Sequence, residues 1–140
     1  MKKIMLALGV ALCLCLTGCG QVKVGYIDEE RIAKEAPQIK ATMEEGTKKM
    51  QEVQDELVKK FEENPNMTDE EAEKIQTEAQ RKAMGYSQQY MTQVQQKLNV
   101  ALEEITKEKS LDAVMENSKY QKTVLVGGVD VTDEVIKKLQ

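Results

Sequence analysis

Two apolar series of helical period dominate the chain and dictate most of its fold. The first runs Ile32, Ala36, Ile39, Met43, Gly46, Met50, Val53 and Leu57, in alternating steps of four and three, with Gly46 as its one entry that is not apolar. Steps of this kind form a heptad seam on one helix face. The second runs Ala72, Ile75, Ala79, Ala83, Tyr86, Tyr90, Val94, Leu98, Ala101 and Ile105, a mean step of 3.67 residues, which keeps a helix nearly straight. Between them, Asn64-Pro65-Asn66 stops one helix and Thr68 with Glu71 forms a capping box for the next, stapled by Met67 and Ala72. If the chain reverses near residue 66, facing residues have numbers of nearly constant sum. Leu57 with Ile75, Val53 with Ala79 and Gly46 with Tyr86 add to 132, and Met50 with Ala83, Met43 with Tyr90 and Ile39 with Val94 add to 133. The reading is an antiparallel helical hairpin over residues 37–105, with Gly46 opening a recess for the Tyr86 ring.

The segments at either end supply a small body, residues 22–36 and 106–140. Val22 to Ile27 reads as a first strand, Asp28 as the cap of a short helix to residue 35, and Pro37 as the first-turn residue of the long helix that follows. Runs 111–115 and 120–126 read as two further strands, Gly127-Gly128 as a turn, and Thr132 as the cap of a closing helix to residue 140. Around Leu98, Val100, Ala101, Leu102 and Ile105 the apolar face widens, so the hairpin base is expected to be buried in this body. The fold class is mainly α with a small β body from which the hairpin projects. So few strand residues make a weak independent core, and self-association is the expected remedy.

The first 18 residues read as a signal peptide. Lys2 and Lys3 precede an apolar run from Ile4 to Leu16, which at 13 residues is shorter than the roughly 20 that a spanning helix needs. Leu16-Thr17-Gly18-Cys19 then resembles a bacterial lipobox, in which the cysteine sulfur receives diacylglycerol and becomes the new N-terminus. The mature domain would be residues 19–140, lipid-anchored at Cys19, and its two or three acyl chains would hold it on the membrane. Gly20 lacks the aspartate that this resemblance associates with inner-membrane retention, so in a cell with two membranes the outer one is favoured, with the domain on the periplasmic side.

Composition narrows the chemistry. The chain has no histidine and no tryptophan, and from Cys19 onward it has a single cysteine, which removes Ser-His, Cys-His and His-metal sites. After residue 18 the charge is −6, so no basic surface invites nucleic acid. Pairs such as Glu44 with Lys48, Glu78 with Lys82 and Glu103 with Lys107 decorate the outer helix faces and read as solvated surface. No enzyme activity, metal or cofactor is expected.

The order of elements and three local stretches resemble the Skp/OmpH family of periplasmic chaperones. The stretches are Val24-Gly25-Tyr26-Ile27-Asp28 with Arg31-Ile32, Glu108 to Met115, and Val129 to Ile136. The resemblance implies a homotrimer in which three hairpins surround a cavity, and an ATP-independent holdase that keeps exported outer-membrane β-barrel proteins unfolded and unaggregated. Its partners would be those unfolded proteins, further copies of itself and the membrane at its anchor. Two departures stand out. The family is basic at the hairpin ends, whereas residues 59–75 here carry a net −3, and the family is not lipid-anchored. Met84 and Met91, seven residues apart and just off the seam, are the candidate client contacts, since flexible thioethers suit promiscuous binding, although padding for the hairpin or a neighbouring subunit is the favoured reading of them. The alternative function is a structural or scaffold coiled-coil lipoprotein of the cell envelope.

Overall fold

A computed structural model describes residues 21–120 and 122–140, so Cys19 and the expected signal peptide lie outside the described residues. The elements are β1 (Val24–Ile27), α1 (Glu29–Glu35), α2 (Pro37–Glu63), α3 (Asp69–Lys109), β2 (Ala113–Glu116), β3 (Val129–Asp130) and α4 (Thr132–Lys138). The two long helices have the bounds that their start and stop signals imply. Pro37 opens α2, and the capping box at α3 is complete, with the Glu71 N–H donating to Thr68 Oγ1 (3.3 Å) and the Thr68 N–H to Glu71 Oε2 (2.9 Å). Asp28 caps α1, its Oδ1 accepting from the Arg31 N–H at 3.0 Å.

The first strand is the middle of the sheet. β1 pairs in parallel with β2 on one side and β3 on the other. Parallel neighbours need a crossover, and here the whole hairpin is the crossover from β1 to β2. Gly25 lies buried at the centre because a Cβ there would stand 2.7 Å from Leu111 Cδ1. The glycine lets Leu111 close over the strand.

The third strand departs from expectation. Residues 120–126 read as a strand, but Tyr120 and residues 122–126 lie outside the sheet. Asn117 bridges to Lys122 and its side-chain oxygen accepts from the Val124 N–H at 3.0 Å, which folds the segment back on itself. Gly127 and Gly128 then take φ of 81° and 82°, values open to glycine, and only after them does Val129–Asp130 align with β1. Strand propensity in Thr123-Val124-Leu125-Val126 is overruled by these local hydrogen bonds and the double glycine.

Thr132 also differs from its expected role. Val131 occupies the cap position of α4, and Thr132 is its first helical residue. The Thr132 hydroxyl instead donates to Asp130 Oδ1 and accepts the Asp28 N–H at 3.0 Å.

The core joins both ends of the chain to the hairpin base. Ile27, Ile32, Ala36, Ile39, Leu98, Ala101, Ile105, Leu111, Val131, Val135 and Leu139 form one buried cluster. All of it lies after residue 26, so a chain beginning at Gly20 retains every one of these contacts. Lys138 reaches Glu104 (2.9 Å) and Glu108 (2.7 Å), and the Gln38 N–H donates to the Leu139 carbonyl (3.1 Å), so the C-terminus clasps the base of the hairpin from both helices. The widened apolar face of α3 is mostly buried here, but Val100 is 60% exposed.

Candidate functional site: an apolar groove along the hairpin

The hairpin seam follows a different line from the heptad reading. On α2 the buried residues are Ile39, Thr42, Gly46 and Val53, while Met43 and Met50 are 49% and 38% exposed. Thr42 is able to take the interior place because its hydroxyl donates to the Gln38 carbonyl at 2.8 Å and so needs no outside partner. The seam therefore rotates by one residue toward Thr42, and both methionines turn out of it.

Gly46 does make room for a tyrosine, but the ring is that of Tyr90. A Cβ at Gly46 would meet Tyr90 Cγ at 2.9 Å, whereas Tyr86, its expected partner, lies one turn further along and is half-buried. Tyr90 is buried, and that burial, followed by the neighbouring Glu45 carboxylate, raises its phenol above the ordinary value. Val94, Ala83, Ala79, Ile75 and Leu57, the other members of the expected seam, are half-buried. Between Val53 and Tyr90, round the tip, no described residue of the hairpin is fully buried.

The displaced methionines have a common destination. Met43 and Met50 from α2 and Met91 from α3 line one groove of about 410 Å³. Ile32 and Ala33 of α1 close its base, and Ile39, Tyr90, Val94 and Leu98 contribute to its floor. Its rim is Thr47, Ser87 and Gln95, with Glu29 as the one charged residue lining it. Partial burial, and after it the Glu116 carboxylate, raises the Glu29 carboxyl above its ordinary value. Met84 sits in an adjoining shallow trough shared with Met91, Ser87 and Gln95. Met84 and Met91 are 72% and 70% exposed, so the described chain buries neither of them.

One signal in the sequence marks this site. Between Lys82 and Lys97 no residue is charged, a run of 14 positions in a chain that is 31% charged. The run supplies Met84, Ser87, Tyr90, Met91, Val94 and Gln95, which are the α3 contribution to the groove and trough. Periodicity alone overlooks it, because Ser and Gln count as polar in the same way as Lys and Glu.

The hairpin tip offers a contrast. Its hollow, about 620 Å³, is framed by Glu63, Glu71, Glu78 and Lys74 together with Asn64, Pro65 and Asn66. Hydrogen bonds from Thr68 lower the Glu71 carboxyl from its ordinary value. Among the described residues, no cluster of three or more His, Cys, Asp or Glu is arranged to hold a metal, and no helix is long and apolar enough to cross a membrane.

No protein-family model matches the sequence, and no curated protein does either. Among solved structures the chain is similar to a crystal structure of a candidate outer membrane chaperone, OmpH-like, from Caulobacter crescentus CB15. The TM-score is 0.49 at 17% identity, with 87% of this chain and 86% of that one covered.

Proposed function

We propose that this protein is an ATP-independent holdase chaperone that binds unfolded exported proteins, outer-membrane β-barrel proteins among them, and keeps them from aggregating. The observation that carries the reading is the groove, in which flexible apolar side chains stand beside uncharged hydrogen-bonding ones. Thioethers at Met43, Met50 and Met91 adapt to apolar side chains of many shapes. Ser87 and Gln95 offer donors and acceptors, and Thr47, whose hydroxyl donates to the Met43 carbonyl, offers an acceptor, which an unfolded backbone satisfies whatever its sequence. The uncharged α3 wall, residues 83–96, favours no charge pattern in the client. The acid and lysine pairs on the outer faces, such as Lys60 with Glu56 and Lys107 with Glu103, keep the rest of the hairpin in water.

The same reading has three copies joining through their bodies, so that three hairpins enclose one cavity. What supports it is the surface of the body. Tyr120, Leu125, Val126 and Val129 are 81%, 83%, 94% and 47% exposed, and β2 and β3 each leave an outer edge unpaired. Apolar residues beside open strand edges are covered in stable proteins. Acylation at Cys19 would fix the body to the membrane on the periplasmic side, five residues before β1 begins.

The test is native mass spectrometry of residues 20–140, alone and after dilution of a urea-unfolded outer-membrane barrel protein into it. The expected species are a trimer and a trimer carrying one client. A monomer or dimer that takes up no client would overturn the proposal and favour the scaffold alternative.

A further inference from the structure

Six methionines follow Cys19, and four of them, Met43, Met50, Met84 and Met91, line the groove and its adjoining trough. None of the four belongs to the buried core, and their exposures run from 38% to 72%. The helices that bear them are held by other residues, Ile39, Thr42, Gly46, Val53, Tyr90 and Leu98. Groove chemistry is thus separable from hairpin stability.

From this placement we propose that the groove methionines form an oxidation site at which small peroxide-type oxidants switch client binding off while the fold is retained. The inference rests on the holdase reading above. In the reaction a thioether sulfur attacks one oxygen of hydrogen peroxide. The S–O bond forms as the O–O bond breaks, the proton on the transferred oxygen passes to the departing hydroxide, and water leaves. Sulfur loses two electrons and the peroxide gains them. The product is methionine sulfoxide, whose oxygen is polar and which methionine sulfoxide reductases return to the thioether. Up to four such oxygens along one groove convert its apolar wall into a polar one. An apolar client segment laid against it leaves those acceptors without partners, which is the costly arrangement.

The experiment uses residues 20–140 carrying Met67→Leu and Met115→Leu, so that the groove methionines are the only ones left. Affinity for a fluorescently labelled, urea-unfolded barrel protein is read by anisotropy before hydrogen peroxide treatment, after it, and after repair by the reductases with a thiol reductant. Peptide mass spectrometry is expected to show oxidation first at Met84 and Met91. Affinity should fall by about tenfold or more while helical circular dichroism is unchanged, and repair should restore it. Oxidised protein that binds the client as before would overturn the oxidation switch and leave the holdase reading intact. A loss of helix content in step with oxidation would also overturn it, since the methionines would then be structural. Protein that binds no client before treatment would end both.

Discussion

The backbone N–H of Asp28 donates to the hydroxyl of Thr132 across 3.0 Å, joining residues 104 positions apart at the point where β1 gives way to α1 and β3 to α4. Thr132 is 1% exposed, and the same hydroxyl donates to Asp130. Replacing it with valine preserves shape but strands the Asp28 N–H, while Asp130 Oδ1 keeps the Thr132 backbone N–H at 2.9 Å. Thr132→Val is expected to lower stability by about 1–3 kcal/mol in urea unfolding, and Thr132→Ser by clearly less. Equal losses in both variants would show that the methyl group, and not the hydroxyl, matters.

Gly46→Leu should destabilise the hairpin. The new Cβ would press on Tyr90 Cγ and Cβ, at 2.9 and 3.0 Å, atoms close to the backbone that have little room to move. The expected cost is about 1–3 kcal/mol, partly offset by the roughly 1 kcal/mol that leaves with a helical glycine. Tyr90→Ala in the same chain should recover part of the loss, and Tyr86→Ala should recover none. Thermal melts of the four proteins separate the two tyrosines.

Stability should be level across neutral pH and fall on the acid side. There is no histidine to titrate near neutrality. Glu104 and Glu134 are held below the usual carboxylate range chiefly by hydrogen bonds from Lys138 and Lys109. A depressed folded value means that the unfolded chain takes up protons first, so the contribution is complete above the ordinary range, about pH 4.3, and is lost as pH falls through the lower folded values. Glu29 is raised and acts in the opposite direction, regaining stability as it protonates. Lys138→Met should flatten the acid limb of a plot of urea midpoint against pH. A transition centred near pH 6.5 would contradict the assignment.

Met84→Glu with Met91→Glu places two carboxylates on the uncharged wall. Both positions are largely exposed, so folding and assembly should survive. Client affinity should fall by about tenfold or more, since a charge laid against an apolar segment is expensive. Unaltered capture in native mass spectrometry would remove these residues from the site.

The architecture was legible where local signals act alone. Pro37, the Asn64-Pro65-Asn66 stop, and Thr68 with Glu71 fix the long helices at their observed bounds. Register across the hairpin was legible only to within a turn. Apolar residues recur every three or four positions on both helices, so a slip of one turn still sets apolar against apolar, and Gly46 faces Tyr90 in place of Tyr86. Met43 and Met50 were assigned to the seam because methionine reads as apolar and Thr42 as polar, but a threonine that bonds its own helix is easily buried. The departure of residues 122–126 from the sheet depends on the Asn117 side chain, which no pattern of period two encodes. Of the groove, Met84 and Met91 were visible in the sequence, whereas its α2 wall emerged only from the rotated seam.

The central position of β1 also sets an order of events. The hairpin is made of neighbours in sequence, and contacts of short range tend to form faster than distant ones. β1 must wait, since both strands that flank it come from residues 113–130 and the helix that clasps the base ends at Lys138. A chain cut after residue 109 would lack both strands that flank β1 and the residues Val131, Val135 and Leu139 that cover the hairpin base, so its arms would have no body to hold them.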